Sequence, residues 1–363
     1  MEKKRKMKIL EICNFSAGVS GVWTRALEDS KEFRKKGHKV YVFSTDKQEN
    51  EEIAAPKYEI KEGIDITRFP IKRRMGYALW FDFEKEALQL NPDIIICHGL
   101  RKPYLGPALK IAKEINAKCF LITHAPFLEK GLRSKKLNFI VWLYDKFYGK
   151  KIMNSFDKVI TICKWEKELL LKLGCDEERI MYIPNSLPEE FFNQKEITEE
   201  KNKVLYLGRI NLVKNLEVLI NACNLLNIKP IIVGSIEKDY KLDAEVKKPI
   251  YDLKKKIELI DSAEIFVLPS KKEGLPFGIL EAMARGKIVV ATNTMGGKEL
   301  IEDEKNGFLF NIGDSEGLRV ILNKIREMSN EEKNKIREEA MKTSKEFKIS
   351  GVMDKWKGLF KNE

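Results

Sequence analysis

Short apolar runs alternate with amphipathic helical patterns along most of this chain, and this alternation limits the fold more than any other feature. The first series contains KILEIC, a helical pattern from Trp23 to Lys36, and KVYVFS, followed later by DIIIC, CFLITH and KVITIC. Strands separated by helices predict βαβ units, whose strands form a parallel sheet covered on both faces. The sequence therefore predicts a doubly wound α/β fold.

The alternation breaks once and then starts again. The break is PEEFFNQKEITEEKNK, which is charged and poor in helical pattern. After it come VLYLG, a helical pattern from Asn215 to Leu226, and the runs PIIVGS, EIFVLPS, KIVVATN and GFLFN. A chain of 363 residues is too long for one ordinary core. We therefore expect two Rossmann-like domains in series, with the charged stretch as the linker.

The amino-acid composition indicates where in the cell the protein is expected and what state its cysteines are in. No apolar run reaches the roughly 18 residues that span a bilayer. The basic start MEKKRKMKILEICNF lacks a cleavage site, and Lys8 and Glu11 interrupt its short apolar part. We interpret it as the first strand and expect a cytoplasmic protein. The six cysteines have no paired spacing and lie in apolar stretches, which predicts buried core residues rather than disulfides or a zinc site.

The net charge of +12 is concentrated in one region. Between Arg101 and Lys151, twelve basic residues face three acidic ones, a balance of +9. Within this region, residues 130–151 mix lysines with aromatic and aliphatic side chains. One interpretation is an amphipathic helix at an anionic membrane surface, peripheral at the inner face of the cell membrane. The other is a core helix with a solvated basic edge, because aromatic faces usually pack inward.

Ligands of parallel sheets bind at the carboxyl ends of the strands. After the first strand, NFSAGVSGVWTRAL places Gly18 and Gly21 before a helix whose first amides could face an anion. Glycines serve tight turns for structural reasons about as often, and no dinucleotide fingerprint is complete here. After CFLIT comes His124, either a hydrogen-bonded structural residue or a functional one.

Two further loops carry charged residues at strand ends. In GRINLVKN, Gly208 allows close backbone approach, and Arg209 and Lys214 suit a diphosphate, although they could be ordinary surface bases. In EGLPFGILE, Glu273 lies in a loop and Glu281 in the following helix, ~12 Å apart if the segment were helical. Both carboxylates can then reach one sugar-sized ligand. A salt-bridged helix would explain Glu281 alone.

These loops, in this order, resemble the retaining glycosyltransferases of family four. The resemblance rests on the glycine turn before KKGHKV, on His124 after a strand, on IPNSL, on GR-x4-K and E-x7-E, and on AMARGKIVVATNTMGGKELIEDEKNGFLF. It implies an α/β GT-B fold of two doubly wound Rossmann-like domains facing a central cleft. Residues 1–190 would be the acceptor-side domain, residues 191–345 the donor-binding domain, and residues 346–363 a terminal helix crossing back to the first domain.

The resemblance also implies roles for individual residues. Arg209 and Lys214 would hold the donor diphosphate, Glu281 the ribose and Glu273 the transferred sugar, while His124 would lie beside the anomeric carbon. The implied catalytic residues are Arg209, Lys214, His124 and Glu273, and the implied donor-binding residues are Gly21, Gly208, Gly234, Leu275, Pro276, Phe277, Gly278 and Glu281. The family needs no divalent metal, and the chain has no D-x-D sequence. No cofactor is expected besides the nucleotide-diphosphate sugar donor.

The expected function is retaining sugar transfer to an acceptor hydroxyl, with a lipid-linked or cell-envelope glycan as the candidate acceptor. One alternative is a GT-B nucleotide-sugar epimerase. Another is a non-enzymatic basic nucleic-acid-binding protein, whose binding would weaken steeply with salt. The chain has no recognition-helix or RNA-binding signature, so no nucleic-acid partner is expected. The stretch IEKDYKLDAEVKKPIYDLKKKIELIDSA is shorter than the family's usual wall around the base, so the donor base cannot be inferred.

Overall fold

The computed structural model describes residues 6–18, 20–48, 51–76, 78–127, 134–193, 200–238 and 240–360, without the side chains of residues 51–53. The chain separates into two compact units, residues 1–184 and 185–363. Each contains a mainly parallel sheet with helices between its strands, which confirms the predicted doubly wound α/β class. The predicted domain limits, at residues 190 and 345, and the crossing of the terminal helix remain predictions.

The first unit is built on an eight-stranded sheet of order β12-β11-β10-β9-β1-β2-β6-β5, in which β5 pairs antiparallel with β6 and the other pairs are parallel. The strands of this unit are β1 (Lys8–Phe15), β2 (Lys39–Thr45), β3 (Lys47–Gln48), β4 (Glu51–Ala54), β5 (Tyr58–Lys61), β6 (Ile64–Phe69), β7 (Arg73–Met75), β8 (Ala78–Trp80), β9 (Ile94–His98), β10 (Lys118–Ile122), β11 (Lys158–Thr161) and β12 (Ile180–Tyr182). The chain runs outward from β1 and then returns to β9 on the other side of β1. The strand order therefore reverses between β1 and β9, where such sheets bind ligands.

Helices connect these strands. They are α1 (Gly21–Lys35), α2 (Glu84–Leu90), α3 (Leu105–Glu114), α4 (Lys135–Tyr144), a π-helical turn (Asp145–Gly149), α5 (Lys150–Met153), α6 (Glu166–Lys172) and a 3₁₀ turn (Glu177–Arg179). The antiparallel pairs β3–β4 and β7–β8, like β5–β6, lie in the segment between β2 and α2. Our sequence prediction, which contained only parallel strands, missed all three pairs.

The second unit contains a six-stranded parallel sheet of order β15-β14-β13-β16-β17-β18. Its strands are β13 (Glu200–Leu207), β14 (Ile231–Val233), β15 (Val246–Lys247), β16 (Ala263–Leu268), β17 (Ile288–Thr292) and β18 (Phe308–Phe310). Its helices are a 3₁₀ turn (Glu189–Phe192), α7 (Leu216–Leu225), α8 (Leu253–Asp261), α9 (Phe277–Ala284), α10 (Met295–Leu300), α11 (Ser315–Glu327), α12 (Asn330–Ser344), a second 3₁₀ turn (Lys345–Phe347) and α13 (Ile349–Phe360). Here the strand order reverses between β13 and β16.

The central strands are apolar because helices cover both faces of each sheet. Every residue of β9, β16 and β17 is buried, so these strands lack the polar alternation of a half-exposed sheet. All six cysteines are buried, as predicted. The predicted linker was wrong at its end. Residues 200–203 begin β13, because their backbone extends the pairing with β16 while the side chain of Glu200 reaches solvent.

Helix α4 and the π-helical turn form an exposed apolar surface in the first unit. None of the α4 residues is buried, and 58% of Phe139, 52% of Trp142 and 63% of Phe147 is exposed. The core-helix interpretation was therefore wrong, since the aromatic side chains do not pack inward. Residues 130–133 of the predicted surface lie outside the described residues. Among the helices in the described part of the chain, none has the length and apolarity to cross a membrane.

Candidate active site

In the second unit, two predicted glycines lie in contact where neighbouring strands end. Gly208 follows β13 and Gly234 follows β14. A Cβ atom added to Gly234 would lie 1.7 Å from the carbonyl oxygen of Gly208, so only glycine lets these two strand ends approach each other. This packing accounts for Gly234 without any ligand. Arg209 follows Gly208 directly, at the end of one of the two strands between which the strand order reverses.

Lys214 and Glu273 join the two charged motifs of the second unit. The Nζ atom of Lys214 lies 2.6 Å from Oε1 of Glu273, and the two side chains are only 18% and 11% exposed. The loop before α7 is fixed by the Asn211 side chain, whose Oδ1 accepts hydrogen bonds from the backbone N–H groups of Val213 and Lys214, both at 3.1 Å. On the same side, the hydroxyl of Tyr206 donates to the carbonyl oxygen of Arg209. The structure thus brings GR-x4-K and E-x7-E together.

The segment between Glu273 and α9 is held by backbone contacts. The carbonyl oxygen of Leu275, which is buried, accepts a 3.0 Å hydrogen bond from Nδ2 of Asn185. Asn185 belongs to the IPNSL motif, but the sequence alone did not show what this side chain does. The N–H of Gly296 in α10 donates to the carbonyl oxygen of Glu273 at 3.2 Å. The loop is therefore fastened at both ends.

Helix α9 begins with the remaining predicted donor-binding residues. Pro276 is the N-cap and Phe277 the first helical residue. A Cβ atom at Gly278 would lie 2.9 Å from the ring of Phe266 on β16 and 3.7 Å from the carbonyl oxygen of Leu207 on β13. The first turn of α9 therefore lies against the two strands between which the sheet order reverses. Its unpaired N–H groups can bind an anion there.

Glu281 lies one turn farther along α9 and is paired with a residue that sequence reasoning missed. Its carboxylate is almost fully buried on α9 and accepts a hydrogen bond from Nζ of Lys256 on α8. That ammonium group also lies 5.9 Å from the ring centroid of Phe191. Lys256 belongs to the stretch that differs from the family pattern, which forms β15 and α8. A buried acid predicts a cationic partner, but the run LKKKIELID does not show which lysine it is.

In the first unit, His124 is held in a strained loop after β10. His124 has φ +57° and the next residue, Ala125, has φ +46°, a conformation that costs about 1–3 kcal/mol per residue. The carboxylate of Glu166 fixes this loop, accepting hydrogen bonds from the Thr123 hydroxyl at 2.5 Å and the Ala125 N–H at 3.0 Å, and from two amides after β11. Burial raises the pKa of Glu166 to about 7, although these hydrogen bonds act to lower it.

His124 is the end of a buried hydrogen-bonded chain. Its Nε2 lies 2.9 Å from Nδ1 of His98, and Nε2 of His98 lies 2.6 Å from Oε2 of Glu11. The Ser30 hydroxyl donates to the other oxygen of Glu11 at 2.7 Å. Burial, reinforced by His98 and the cations Arg25 and Lys102, lowers the pKa of His124 well below its ordinary value. The neutral form of His124 is therefore favoured.

Sequence reasoning missed Glu11 and His98. Glu11 was noticed only as a charge that interrupts an apolar strand, which was the one available signal. The two residues lie on β1 and β9, the strands between which the sheet order reverses. A cavity of about 190 Å³ opens at the same place, lined by Asn14, Phe15, Ser20, Val22, His98, Gly99, Leu100, Lys102, Tyr104, Thr123, His124 and Pro126.

Gly21 lies next to this cavity as the first residue of α1. The preceding residue, Ser20, caps the helix by accepting a 3.1 Å hydrogen bond from the Trp23 N–H. Among the described residues, no atom would lie within 4 Å of a Cβ atom added to Gly21. Unlike Gly234, therefore, Gly21 has no packing contact with the described part of the chain that requires glycine.

Two family models together cover most of the chain. The model for glycosyltransferase family 4 matches residues 19–191, and the model for glycosyl transferases group 1 matches residues 188–343. An uncharacterised glycosyltransferase of Methanocaldococcus jannaschii is 30% identical over 76% of this chain and 75% of its own length. The chain belongs to this glycosyltransferase family, which confirms the predicted resemblance.

Other relatives are more distant. An uncharacterised glycosyltransferase of Haemophilus influenzae is 25% identical over 82% of this chain and 92% of its own length. An Escherichia coli enzyme named UDP-Gal:alpha-D-GlcNAc-diphosphoundecaprenol alpha-1,3-galactosyltransferase is 26% identical over 61% of this chain and 63% of its own length. The name of this enzyme describes galactose transfer to a diphosphoundecaprenol-linked sugar.

Solved structures share the fold at lower sequence identity. A glycosyltransferase of Rickettsia africae has a TM-score of 0.75 at 20% identity and covers 98% of both chains. HepE of Anabaena, solved with UDP and glucose, has a TM-score of 0.75 at 18% identity and covers 97% of this chain and 99% of its own. These neighbours are GT-B glycosyltransferases, so the two α/β units have the predicted GT-B fold class.

Proposed function

We propose that this glycosyltransferase transfers a sugar from a nucleotide-diphosphate donor to an acceptor hydroxyl with retention of the anomeric configuration. The contact between Lys214 and Glu273 carries the proposal, because it joins a cationic loop and a carboxylate loop where the sheet order reverses. A sugar–diphosphate requires both chemistries, cations for the phosphates and a carboxylate for sugar hydroxyls. The structures of HepE with UDP and with UDP-glucose support a donor of this class.

In the proposed mechanism, Arg209 and Lys214 bind the diphosphate and stabilise the charge that it gains as the sugar–phosphate bond breaks. One well-placed donor to a developing negative charge contributes about 3–4 kcal/mol to transition-state stabilisation. Glu273 holds the Lys214 ammonium group and contacts the transferred sugar. The leaving phosphate helps to deprotonate the acceptor on the same face of the sugar, so no carboxylate nucleophile is required. We propose no divalent metal and no further cofactor.

The nucleotide end of the donor is proposed to lie along α9. Glu281 binds the ribose hydroxyls through Oε2, because Oε1 already accepts from Lys256. The backbone from Leu275 to Gly278 lies along the diphosphate, with the first amides of α9 as donors. Gly208 and Gly234 keep the neighbouring strand ends free of side chains. His124 and Gly21 serve the reaction from the first unit, His124 on the acceptor side.

A panel of nucleotide sugars tests the proposal. The protein is incubated with UDP-glucose, UDP-galactose, GDP-mannose and ADP-glucose, with and without EDTA, and nucleotide release and calorimetric binding are measured. We expect one donor to bind and to release nucleotide slowly to water, with no effect of EDTA. NMR of the transferred sugar, once an acceptor is found, should show the donor's anomeric configuration. Epimerised nucleotide sugar without release would favour the epimerase, and absence of binding to all four donors would contradict the proposal.

We further propose that the acceptor is lipid-linked and that α4 with the π-helical turn binds an anionic membrane. The surface combines the exposed rings of Phe139, Trp142 and Phe147 with neighbouring lysines, among them Lys146, whose Nζ lies 4.8 Å from the Trp142 ring centroid. Apolar rings flanked by lysines complement the acyl–headgroup boundary of an anionic bilayer. The diphosphoundecaprenol-linked acceptor in the name of the E. coli relative supports the same acceptor class.

Vesicle sedimentation tests this surface. The protein should sediment with phosphatidylglycerol vesicles more than with phosphatidylcholine vesicles, and the double variant Trp142→Ala/Phe147→Ala should remain in the supernatant. Leu225→Ala, which removes an apolar side chain that is 63% exposed in the second unit, is the control and should sediment like the unaltered protein. Equal sedimentation of the double variant would contradict the proposal. Salt-sensitive binding to a DNA duplex instead of vesicles would favour the nucleic-acid alternative.

A further inference from the structure

The buried chain of Glu11, His98 and His124 fixes where protons lie in the first unit. Glu11 and His98 are fully or almost fully buried, and both carboxylate oxygens of Glu11 are engaged, one by His98 and one by the Ser30 hydroxyl. An ionised carboxylate can only accept hydrogen bonds. The proton between Glu11 and His98 therefore lies on Nε2 of His98.

The position of this proton determines the direction of the hydrogen bond between His98 and His124. When His98 is neutral, its Nδ1 carries a lone pair, so His124 must donate to it from Nε2. The remaining ring nitrogen of His124 is then an unprotonated Nδ1. Because His124 lines the cavity at the ends of β1, β9 and β10, this nitrogen belongs to a cavity-lining ring.

We infer that Glu11 and His98 are positioning residues that fix His124 as a hydrogen-bond acceptor for a hydroxyl group of the ligand in this cavity. If the chain takes up a proton at Nδ1 of His124, the proton on Nε2 of His124 passes to Nδ1 of His98. The positive charge then lies on His98 beside the Glu11 carboxylate, away from the ligand. The inference rests on the proposed function only for the identity of the hydroxyl-bearing ligand, which is a sugar or a glycan.

Charged groups on neighbouring elements favour the same distribution. Arg25 on α1 and Lys102 after β9 act against a positive charge on His124. Asp29, also on α1, pairs with Arg25 at 2.5 Å and interacts with both Glu11 and His98. The carboxylates therefore lie toward the His98 end of the chain, while the cations oppose protonation at the His124 end.

Nitrogen NMR of the free protein tests the inference without any substrate. The chain has three histidines, so ¹⁵N-histidine spectra can be assigned with His38→Asn and His124→Asn variants. At pH 8 we expect His98 and His124 both in the Nε2–H form. In Glu11→Gln, whose side-chain amide can donate as well as accept, an Nδ1–H form of His98 should become populated. The matched control Glu177→Gln removes a surface carboxylate of the same unit and should leave both tautomers unchanged.

Two results would overturn the inference: a neutral His124 protonated on Nδ1 at pH 8, or an unchanged His98 tautomer in Glu11→Gln. A second readout uses donor turnover, with the nucleotide sugar that the panel identifies. Glu11→Gln should lower kcat about tenfold in the unaltered background and have no further effect in His124→Asn, because the residues act as one unit. Equal effects in both backgrounds would indicate a merely structural role. The NMR outcome stands even if the panel finds no donor, so failure of the two proposals can be told apart.

Discussion

Both units place functional groups where the strand order of the sheet reverses, but their charged groups differ in exposure and in the partners they pair with. In the second unit, partly exposed lysines pair with carboxylates in loops and on helices, as in Lys214–Glu273 and Lys256–Glu281. In the first unit, the buried carboxylate of Glu11 is hydrogen-bonded to the His98 imidazole, which in turn is hydrogen-bonded to the His124 imidazole. The second unit thus presents positioned cations that can bind an anion. The first unit presents His124, a neutral hydrogen-bond acceptor whose protons are positioned by Glu11 and His98.

Two buried glutamates show the same contrast. Burial raises the pKa of Glu166 in the first unit to about 7, because its partners are neutral hydroxyl and amide donors. In the second unit burial also acts to raise the pKa of Glu264, but the hydrogen bond from Lys333 at 2.9 Å, an amide donor and the charge of Arg337 lower it overall. Similar burial therefore gives opposite shifts, depending on whether the partner carries a positive charge.

Removing the Lys214 ammonium group should have the largest effect on activity. We expect Lys214→Ala to lower kcat for donor turnover about 10²–10³-fold, because the leaving diphosphate loses a positioned cation. Steady-state kinetics with the donor found by the panel provides the measurement. Lys229→Ala breaks a surface pair whose side chains are 84% and 64% exposed, and it should be neutral. Normal turnover by Lys214→Ala would show that this cation does not stabilise the leaving diphosphate. The functional distinction between the cations of the second unit and the neutral acceptor of the first would then be wrong.

The contrast also explains which parts of the site could be predicted. In the second unit, the functional residues lie in two short contiguous stretches, GRINLVK and EGLPFGILE, so their spacing is visible in the sequence. Lys256 was missed because three consecutive lysines begin α8 as equally plausible partners. Spacing alone cannot show which side chain of a helix turns toward Glu281.

In the first unit, the site is assembled from single residues far apart in the chain. Glu11 and His98 are 87 positions apart and meet only because β1 and β9 are adjacent in the sheet. The alternation of apolar runs predicted the strands themselves, since each is buried on both faces. It could not predict their order, so neither the histidine chain nor the antiparallel β5–β6 pair could be inferred from the sequence.

The opposite pKa shifts predict opposite responses of the two units to pH. Glu166 binds its proton more tightly when folded, with a pKa of about 7 against an ordinary 4.5, so the first unit should lose about 3 kcal/mol of stability as pH rises through this window. The lowered pKa of Glu264 gives stability that is present above its ordinary value and is lost only as pH falls below it. Hydrogen exchange of β10 and β16 amides between pH 3 and 7.5, corrected for intrinsic rates, measures both responses.

Substitution of each glutamate tests the cause of these responses. Glu166→Gln should reduce the loss of stability with rising pH in the first unit. Asp29, whose pKa burial raises to about 6, adds to that loss, and the lowered pKa of His124 opposes it. Glu264→Gln should leave the pH dependence of stability in the first unit unchanged. An unchanged pH dependence of β10 protection in Glu166→Gln would contradict the assignment.

The smallest expected effect comes from Lys256, the cation that the sequence could not single out. Lys256→Met leaves the carboxylate of Glu281, 4% exposed, without its ammonium partner and free to reorient. We expect the donor KM to rise about threefold to tenfold with little change in kcat, since the ribose contact is made equally in the ground and transition states. Lys255→Met, on the exposed face of the same helix, is the matched control. A lower KM in Lys256→Met would instead mean that Lys256 competes with the ribose for Glu281, and the pair would then oppose donor binding rather than prepare for it.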